Sequence, residues 1–231
     1  MQTRYLLAGD KSIVVEFGNK IDEKINKKVT QLMLNLQKSE LNEVIYEMIP
    51  TYRSLMINYD PLKIDYDSLV DELKKIELNL ESIEIPKPKI HTIPVCYEKD
   101  FGIDIENVAG HNNLTVEEVI KIHTGKDYLI YMLGFTPGFP YLGGMDERIA
   151  TPRLEVPRTK IYGGSVGIAG SQTGVYPIDS PGGWQIIGRT PVKLYDENRE
   201  EPILLRAGDF IRFVPITLDE FIEIEKSNIH L

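Results

Sequence analysis

LGFTPGFPYLGGMDERIATPRLEVPRTKIYGGSVGIAGSQTGVYPIDSPGGWQIIGR, from Leu133 to Arg189, is the stretch that decides the fold. Residues 134 to 188 contain 12 of the 18 glycines and 6 of the 14 prolines, interleaved with aromatic residues that include the only tryptophan, Trp184. Glycine permits positive φ angles and proline fixes φ, so this density predicts several tight turns between short strands. A disordered linker would be poor in aromatic and β-branched residues, whereas this segment is rich in both. We therefore expect a folded, turn-rich β structure.

The overall composition excludes several classes of protein. The chain has 231 residues and a net charge of −9, which gives no basic surface for nucleic acid or anionic lipid. Its single cysteine, Cys96, excludes an internal disulfide and a cysteine-based metal cluster. No stretch approaches the roughly 18 apolar residues of a membrane span, and MQTRYLLAGDK lacks the apolar core of a signal peptide. We expect a cytoplasmic protein that binds neither nucleic acid nor membrane.

Apolar periodicity in the first part of the chain predicts a small α+β sandwich. Strands are expected at 5–8, 12–17, 44–50 and 54–59. An amphipathic helix follows the second strand, and another follows the fourth, with Asp67 or Ser68 as its N-cap. The expected element order is ββαββα. Each amphipathic helix must bury its apolar face against a sheet, which favours this architecture. The extended connector IEIPKPKI then marks a boundary, so we predict one domain at residues 1–85 and another at 86–231.

The second domain is predicted to be all-β. It begins with a strand at 92–97 and one helix that opens with the capping box Thr115–Glu118. From Tyr128 onward there are only short apolar or alternating runs separated by turn residues, up to a last strand at 210–215. This pattern is typical of a β-barrel or a β-sandwich.

The familiar enzyme motifs are absent. Gly125-Lys126 is followed by Asp127, so there is no phosphate-binding loop, and there is no biotin attachment sequence. The four histidines lack the spacing of zinc ligands, and we predict no metal site. GGSVG at 163–167 matches the nucleophile elbow, but the residues that follow it are too glycine-rich to begin a helix. The only downstream histidine is His230. We interpret it as a glycine turn.

Arginines and aromatic residues concentrate in the glycine-rich segment. A guanidinium binds a planar anion such as carboxylate or phosphate through two parallel hydrogen bonds, and Arg158 and Arg189 are the favoured candidates. Alternatively, the arginines pair with local acidic residues such as Asp179 and hold the loops in place. The aromatic side chains are likewise either binding walls or core anchors. The candidate substrate- or partner-binding residues are Phe135, Pro137, Phe139, Tyr141, Arg158, Gln172, Ser180, Trp184 and Arg189.

Several segments carry a family resemblance: GFTPGFPYLGG, ATPRLEVPR, GSVGIAGSQTGVYP, SPGGWQIIGRTP and LLRAGDFIRFVPI, with GDKSIVVEFGNKID and PTYRSLMINYDP in the N-terminal half. They closely resemble the family that contains the B subunit of 5-oxoprolinase, KipI-type inhibitors of sporulation histidine kinase and allophanate hydrolase subunit 1, the carboxyltransferase subdomain C/D family. The chain departs from the family pattern at Glu98-Lys99, where two glycines are usual, and at Tyr162-Gly163, where Pro-Ala is usual. We expect these two loops to differ in shape.

The resemblance implies a ferredoxin-like N-terminal domain followed by a cyclophilin-like β-barrel. It also implies three alternative roles. The favoured one is the B subunit of an ATP-dependent 5-oxoprolinase, which converts 5-oxo-L-proline to L-glutamate together with an A subunit and a homologous barrel, the C subunit. ATP, with Mg, would be bound in the assembled complex, and no biotin is carried by this chain. The alternatives are a binding protein that blocks autophosphorylation of a histidine kinase and a urea carboxylase-type subunit.

The favoured role assigns parts to the candidate residues. The substrate carboxylate would meet Arg158 or Arg189, and the flat ring would lie against Trp184 or Phe139. No residue stands out as a lone catalytic base, so the catalytic residues are left unassigned, and we expect catalytic groups to come from the partner at a shared interface.

Overall fold

The computed structural model describes residues 2–227, which divide into two compact units. The first extends to Lys87 and the second starts at Pro88. Residues 84–89 have no regular secondary structure, and the division falls within this proline-containing segment.

The first unit is a four-stranded antiparallel sheet with two helices. Its strands are β1 (Arg4–Leu7), β2 (Ser12–Glu16), β3 (Ile45–Pro50) and β4 (Ser54–Tyr59), in the order β1-β2-β4-β3. The apolar faces of α1 (Glu23–Lys38) and α2 (Tyr66–Glu77) share one core with β2 and β4. The N-cap of α2 is Asp65, whose carboxylate accepts a hydrogen bond from the backbone N–H of Ser68 at 2.8 Å. The predicted caps, Asp67 and Ser68, lie inside the first turn and are wrong.

The second unit contains a seven-stranded, nearly closed sheet. Its strands are β5 (Ile90–Cys96), β6 (Asp127–Leu133), β7 (Pro140–Gly143), β9 (Ser165–Ala169), β10 (Gln172–Val175), β12 (Gln185–Arg189) and β13 (Phe210–Ile216). Their order is β10-β9-β12-β5-β13-β6-β7, with β5 and β13 parallel and the other neighbours antiparallel. The edge strands β10 and β7 approach closely, because a Cβ on Gly174 would lie 3.3 Å from the carbonyl oxygen of Pro140.

Two further strands, β8 (Arg158–Ile161) and β11 (Ser180–Gly182), pair outside this sheet. Behind them lies a small satellite core, separate from the main core inside the barrel-like sheet. The glycine-rich segment supplies the strands from β7 to β12, as the turn-rich β prediction requires. The satellite core consists of Phe139, Ile161, Ala169, Tyr176, Trp184 and Ile186.

The prediction that the second unit is all-β is wrong. Besides the capped helix α4 (Val116–Thr124), its described residues form α3 (Ile105–His111) and α5 (Leu218–Ser227). The helix α3 is too short to show a clear helical period, and α5 buries only Phe221. A helix with such a narrow apolar stripe gives little periodic signal in the sequence. The unit is therefore mixed, with a sheet that dominates and helices around it.

Candidate functional site

Arg158, one of the two favoured arginines, is bonded to an acidic side chain of the same unit. Its guanidinium donates two hydrogen bonds to the carboxylate of Asp104, at 2.9 and 2.7 Å. Asp104 is buried, and it also accepts the backbone N–H of Ile186 in β12 at 2.7 Å. A bidentate pair of this kind occupies the N–H donors with which the arginine would bind a ligand carboxylate. Arg158 thus ties β8 to β12 through Asp104.

Arg189, at the end of β12, has a different environment. Its Nε donates to the carbonyl oxygen of Gly163 at 3.0 Å. The guanidinium carbon lies 5.8 Å from the ring centre of Phe101 and 5.5 Å from that of Tyr162, a geometry that favours cation–π attraction to both rings. Among residues 2–227, its terminal nitrogens have no hydrogen-bond partner and no acidic side chain within ion-pairing distance. The fold orients this arginine and leaves its bidentate edge available.

The nearby acidic residue Asp179 bonds elsewhere. It accepts the backbone N–H of Gly163 at 2.8 Å and pairs with Lys160 at 2.9 Å. These two contacts lower the pKa of the Asp179 carboxyl below its usual value, the Gly163 N–H having the larger effect. The alternative in which Asp179 pins Arg189 directly is therefore not the arrangement in the structure.

The glycine turn before β9 explains how Arg189 is positioned. Gly164 has φ of +84°, and a Cβ there would collide with the carbonyl oxygen of Thr190, which follows Arg189. Only glycine permits such close approach of two backbones. The turn brings Gly163 to the Arg189 side chain and leads into β9 through Ser165, which is a strand residue and not a nucleophile on a helix. His230, the histidine considered with this motif, lies outside the described residues.

A small cavity of about 200 Å³ opens beside Arg189. Its volume is below the roughly 300–1,000 Å³ typical of pockets for drug-sized ligands. Most of the wall is apolar or aromatic; Asp100 stands exposed at the rim, and Lys160 also contributes to the wall, with its charge paired to Asp179. The unpaired cation of the wall is Arg189, and its main neighbours there are Phe101, Ile103, Tyr162 and Ile186. The geometry suits a small, compact molecule that carries one carboxylate.

A larger cavity of about 570 Å³ borders Arg189 on another side. Its wall carries more acidic than basic residues: Asp179, Asp196, Glu197 and Glu225 against Arg189 and Lys193. A nucleoside triphosphate would meet repulsion from these carboxylates, and the wall contains no phosphate-binding glycine loop. The wall of this cavity therefore does not fit the phosphates of ATP.

Of the nine candidate residues, Arg158 and Arg189 line the small cavity and the others do not. Trp184 is only 6% exposed, and its ring meets those of Phe139 and Tyr176 edge to face in the satellite core, where Tyr141 also packs. The rings of Phe139 and Trp184 therefore face the protein interior, and Tyr141 is half-buried beside them. The remaining candidates are Phe135 and Pro137, which are exposed in the β6–β7 turn, Gln172, at the start of β10, and Ser180, which is buried in β11.

The buried histidine of the second unit is a structural group. His123 is fully buried, and its ring nitrogens lie 2.8 Å from the hydroxyls of Tyr97 and Thr173. Burial lowers the pKa of His123 to about 3, so the ring is neutral at ordinary pH. A neutral imidazole that is held on both nitrogens and closed off from solvent satisfies a core network and has no route to a substrate.

Sequence reasoning missed three residues that shape the site: Phe101, Asp104 and Tyr162. Tyr162 stood out only as a departure from the family pattern. Asp104 and Phe101 lie more than 50 positions before Arg158 and Arg189, and nothing local connects them to the glycine-rich segment. Only the folded chain brings these residues together.

Metal sites and membrane spans are both absent from the described part of the chain. Residues 2–227 contain no group of three or more His, Cys, Asp or Glu side chains placed to hold a metal ion. No helix within the same range is long and apolar enough to cross a membrane.

Comparison with known proteins gives consistent relatives. The B subunit of 5-oxoprolinase from Bacillus subtilis is 44% identical, with 96% of this chain and 97% of that protein covered. The B subunit of 5-oxoprolinase from Escherichia coli O157:H7 is 38% identical over 93% of this chain and 96% of that protein. The urea amidolyase of Lachancea kluyveri is 30% identical over 95% of this chain, which spans only 14% of that protein.

Solved structures and family models point the same way. The crystal structure of TTHA0988 superimposes with a TM-score of 0.78 at 33% identity, covering 89% of this chain and 40% of that longer chain. The model of the carboxyltransferase domain, subdomain C and D, matches residues 3–205. The fold, the full-length relatives and this match agree with the resemblance that the sequence motifs indicate. The chain therefore belongs to the carboxyltransferase domain family, subdomain C and D.

Proposed function

We propose that this chain is part of an ATP-dependent 5-oxoprolinase, which opens the lactam ring of 5-oxo-L-proline to give L-glutamate. The observation that carries the proposal is the 44% identity, over nearly the whole of both chains, to a protein named as the B subunit of 5-oxoprolinase. The match to the urea amidolyase is weaker and spans a small part of that protein, so it supports common ancestry and not the same reaction. By the same homology we propose that the two units are ferredoxin-like and cyclophilin-like domains.

The cavity beside Arg189 supports the proposal chemically. 5-Oxoproline is a small ring that carries one carboxylate, and the cavity offers a small space with one unpaired guanidinium. We place the carboxylate on the terminal nitrogens of Arg189, which can donate two parallel hydrogen bonds. We place the lactam ring in the apolar part of the cavity, near Phe101 and Tyr162. Arg158 is left out of this placement because its guanidinium is already bonded to Asp104. Trp184 and Phe139 are left out as the surface for the ring because both side chains are buried.

The rest of the reaction requires other proteins. Phosphoryl transfer from ATP to the lactam oxygen releases ADP and activates the ring carbon. Water adds to that carbon, and the C–N bond then breaks, which frees the amino group and leaves an acyl phosphate. A second water displaces phosphate from the acyl phosphate to give L-glutamate. The acidic wall of the larger cavity argues against ATP phosphates on this chain, so we assign ATP, its Mg²⁺ and the group that activates water to the partners. The partners are homologues of the A and C subunits of 5-oxoprolinase, in a cytoplasmic complex.

Reconstitution tests the proposal. The chain is mixed with the candidate partner proteins from the same genome, and glutamate formation from 5-oxoproline and ATP is followed. We expect turnover by the mixture and negligible turnover by the chain alone. Urea serves as the competing substrate. ATP hydrolysis that depends on urea and not on 5-oxoproline would assign the chain to the other branch of the family, and full turnover by the isolated chain would refute the shared site.

A further inference from the structure

The cavity beside Arg189 contains a buried hydroxyl that the fold does not use. Ser165, the first residue of β9, lines this cavity and is 5% exposed. Its backbone is fully bonded: its N–H donates to the carbonyl oxygen of Tyr162 at 3.1 Å, and its carbonyl oxygen accepts the N–H of Tyr176 at 2.8 Å. Its hydroxyl has no hydrogen-bond partner among residues 2–227. The side chain of Ser165 therefore keeps its hydrogen-bonding capacity.

Burial of this hydroxyl is unfavourable unless another group bonds to it. A buried polar group without a hydrogen bond reduces stability, and nearly all such groups in native proteins have a partner. Alanine would fill the same position without this cost, since it differs from serine by the hydroxyl alone. The cavity provides the space from which a partner can approach. A ligand group that bonds to the hydroxyl explains a serine at this position.

A β-bulge brings Ser165 and Arg189 to the same side of the sheet. The register of β12 on β9 shifts between Ile186 and Gly188, where β12 holds the extra residue Ile187. In a regular strand, Ile186 and Arg189 would face opposite ways, because side chains alternate between the two faces. The extra residue returns both to one face, and both line the cavity. Arg189 then pairs directly with Ser165 across the two strands.

This pair provides two polar contacts at different depths. Directly opposed residues on antiparallel strands have Cβ atoms about 4.5 to 5.5 Å apart. The side chain of Arg189 is the longer one, and its guanidinium lies beside the rings of Phe101 and Tyr162, whereas the hydroxyl of Ser165 stays close to the strand. In a cavity of about 200 Å³, a small ring whose carboxylate meets Arg189 can extend toward Ser165.

The chemistry of 5-oxoproline decides which of its groups meets the hydroxyl. Apart from the carboxylate, the molecule has two polar groups, the lactam oxygen and the ring N–H. The lactam oxygen has to face the mouth of the cavity, because it receives the phosphoryl group from ATP that the partners hold. The ring N–H is left to face the strand, where a serine hydroxyl can accept it.

Asp100 is the competing acceptor in the cavity wall. Its carboxylate is exposed at the rim, where water competes for its oxygens, and its negative charge repels the substrate carboxylate. Ser165 is uncharged and buried, so its hydrogen bond to a ligand is made away from water. A buried acceptor also discriminates more strongly, because an analogue without the N–H leaves it unpaired.

We propose that the hydroxyl of Ser165 accepts the ring N–H of 5-oxoproline and is a specificity-determining group of the site. The inference rests on the proposed function for the identity of the substrate. It adds a second polar contact to the one between the carboxylate and Arg189. The two contacts together select a cyclic amide that carries a carboxylate beside its N–H.

Ser165→Ala tests the contact with two ligands that differ only in this group. They are 5-oxoproline and 3-oxocyclopentane-1-carboxylate, in which CH₂ replaces the ring N–H. Binding of each ligand to the full chain is measured by ligand-observed NMR titration. The wild type should prefer 5-oxoproline about 10-fold, and Ser165→Ala should reduce the preference to about 2-fold or less, because the N–H then has no acceptor.

The melting temperature separates this role from a structural one. It should stay level or rise in Ser165→Ala, because the fold gives the hydroxyl no partner among the described residues. Ser171→Ala is the matched control, since it makes the same change at an exposed serine in the β9–β10 turn that does not line the cavity. It should alter neither the ligand preference nor the melting temperature.

A preference for 5-oxoproline that persists in Ser165→Ala overturns the proposal, and so does its loss in Asp100→Ala instead. A lower melting temperature with unchanged preference makes the hydroxyl structural. Equal binding of the two ligands by the wild type, or no binding, also overturns the contact, while turnover by the reconstituted complex leaves the proposed function standing. A preference that depends on Ser165, together with a wild-type complex that does not hydrolyse 5-oxoproline, supports the contact and refutes the function.

Discussion

The interior of the second unit and the cavity beside Arg189 use similar polar groups in opposite ways. In the interior, Asp104 meets Arg158 and a backbone N–H, and His123 meets a hydroxyl on each ring nitrogen. Beside the cavity, Arg189 uses one nitrogen to fix its position, and its two terminal nitrogens have no partner among the described residues. Buried polar groups are normally satisfied by the fold itself. A ligand can supply the hydrogen-bond partners that the fold does not. A well-positioned group with unused donors therefore marks a candidate binding site.

This difference separates structural from functional candidates better than residue type does. Arg158 and Arg189 look alike in the sequence, since both lie in the same glycine-rich segment. Their partners in the structure hold the guanidinium of Arg158 within the fold and leave the terminal nitrogens of Arg189 available to a ligand. The comparison predicts that changes in the interior reduce stability, whereas changes at the cavity reduce binding.

The largest effect is expected for Asp104→Ala. This change leaves the guanidinium of Arg158 and the N–H of Ile186 without their acceptor, and removing one partner of a buried ion pair costs about 3 to 5 kcal/mol. Urea unfolding followed by the fluorescence of Trp184, the sole tryptophan, reports on the second unit. A loss of less than about 1 kcal/mol would place this pair among ordinary surface ion pairs and remove the contrast.

Acid should destabilise the interior through His123. Its pKa is about 3 in the folded chain, against about 6.5 in the unfolded chain, so the unfolded state binds the proton first as pH falls. The stabilising contribution is complete above pH 6.5 and is lost progressively toward pH 3, and the loss between pH 6 and pH 4 is about 2.5 kcal/mol. The same unfolding experiment across pH measures the slope.

His123→Gln is the control for this titration, because glutamine can hydrogen-bond but does not titrate. The variant should lose this part of the pH dependence. An identical acid slope in the variant and the wild type would show that His123 is not a buried neutral group.

The sequence predicted the elements whose signal is local and missed those whose signal is not. The capping box of α4 is a local pattern, and it was correctly predicted. The N-cap of α2 was misplaced because Asp65, Asp67 and Ser68 are all good caps, and only the register of the helix on the sheet selects Asp65. The helix α5 was not predicted, because only one of its residues, Phe221, is buried.

The candidate site shows the same limit. Clustering of arginine in a turn-rich segment was enough to select Arg158 and Arg189. Whether each one has a partner depends on Asp104 and Phe101, which reach the site from a distant loop. For the aromatic residues the sequence left a binding wall and core packing as alternatives, and tertiary packing buries Trp184 and Phe139 in the satellite core.

A small effect is expected for Asp179→Asn. Its pair with Lys160 is exposed and contributes about 1 kcal/mol or less, and the amide oxygen can still accept the N–H of Gly163. Melting temperature and 5-oxoproline turnover by the reconstituted complex should both stay close to wild type. If Asp179 holds Arg189 in place, this variant will instead reproduce the defect of Arg189→Ala.

The central claim is that Arg189 binds the substrate carboxylate, and the most direct test is kcat/KM for 5-oxoproline in the reconstituted complex. Arg189→Ala should lower kcat/KM about 10- to 150-fold, equivalent to roughly 1.5 to 3 kcal/mol of charge-assisted hydrogen bonding. Arg189→Lys should recover only part of this loss, because an ammonium cannot make the bidentate contact. The free energy of unfolding should fall by no more than about 2 to 3 kcal/mol, since the change removes one hydrogen bond to Gly163 and two cation–π contacts. An unchanged kcat/KM in Arg189→Ala would contradict the account.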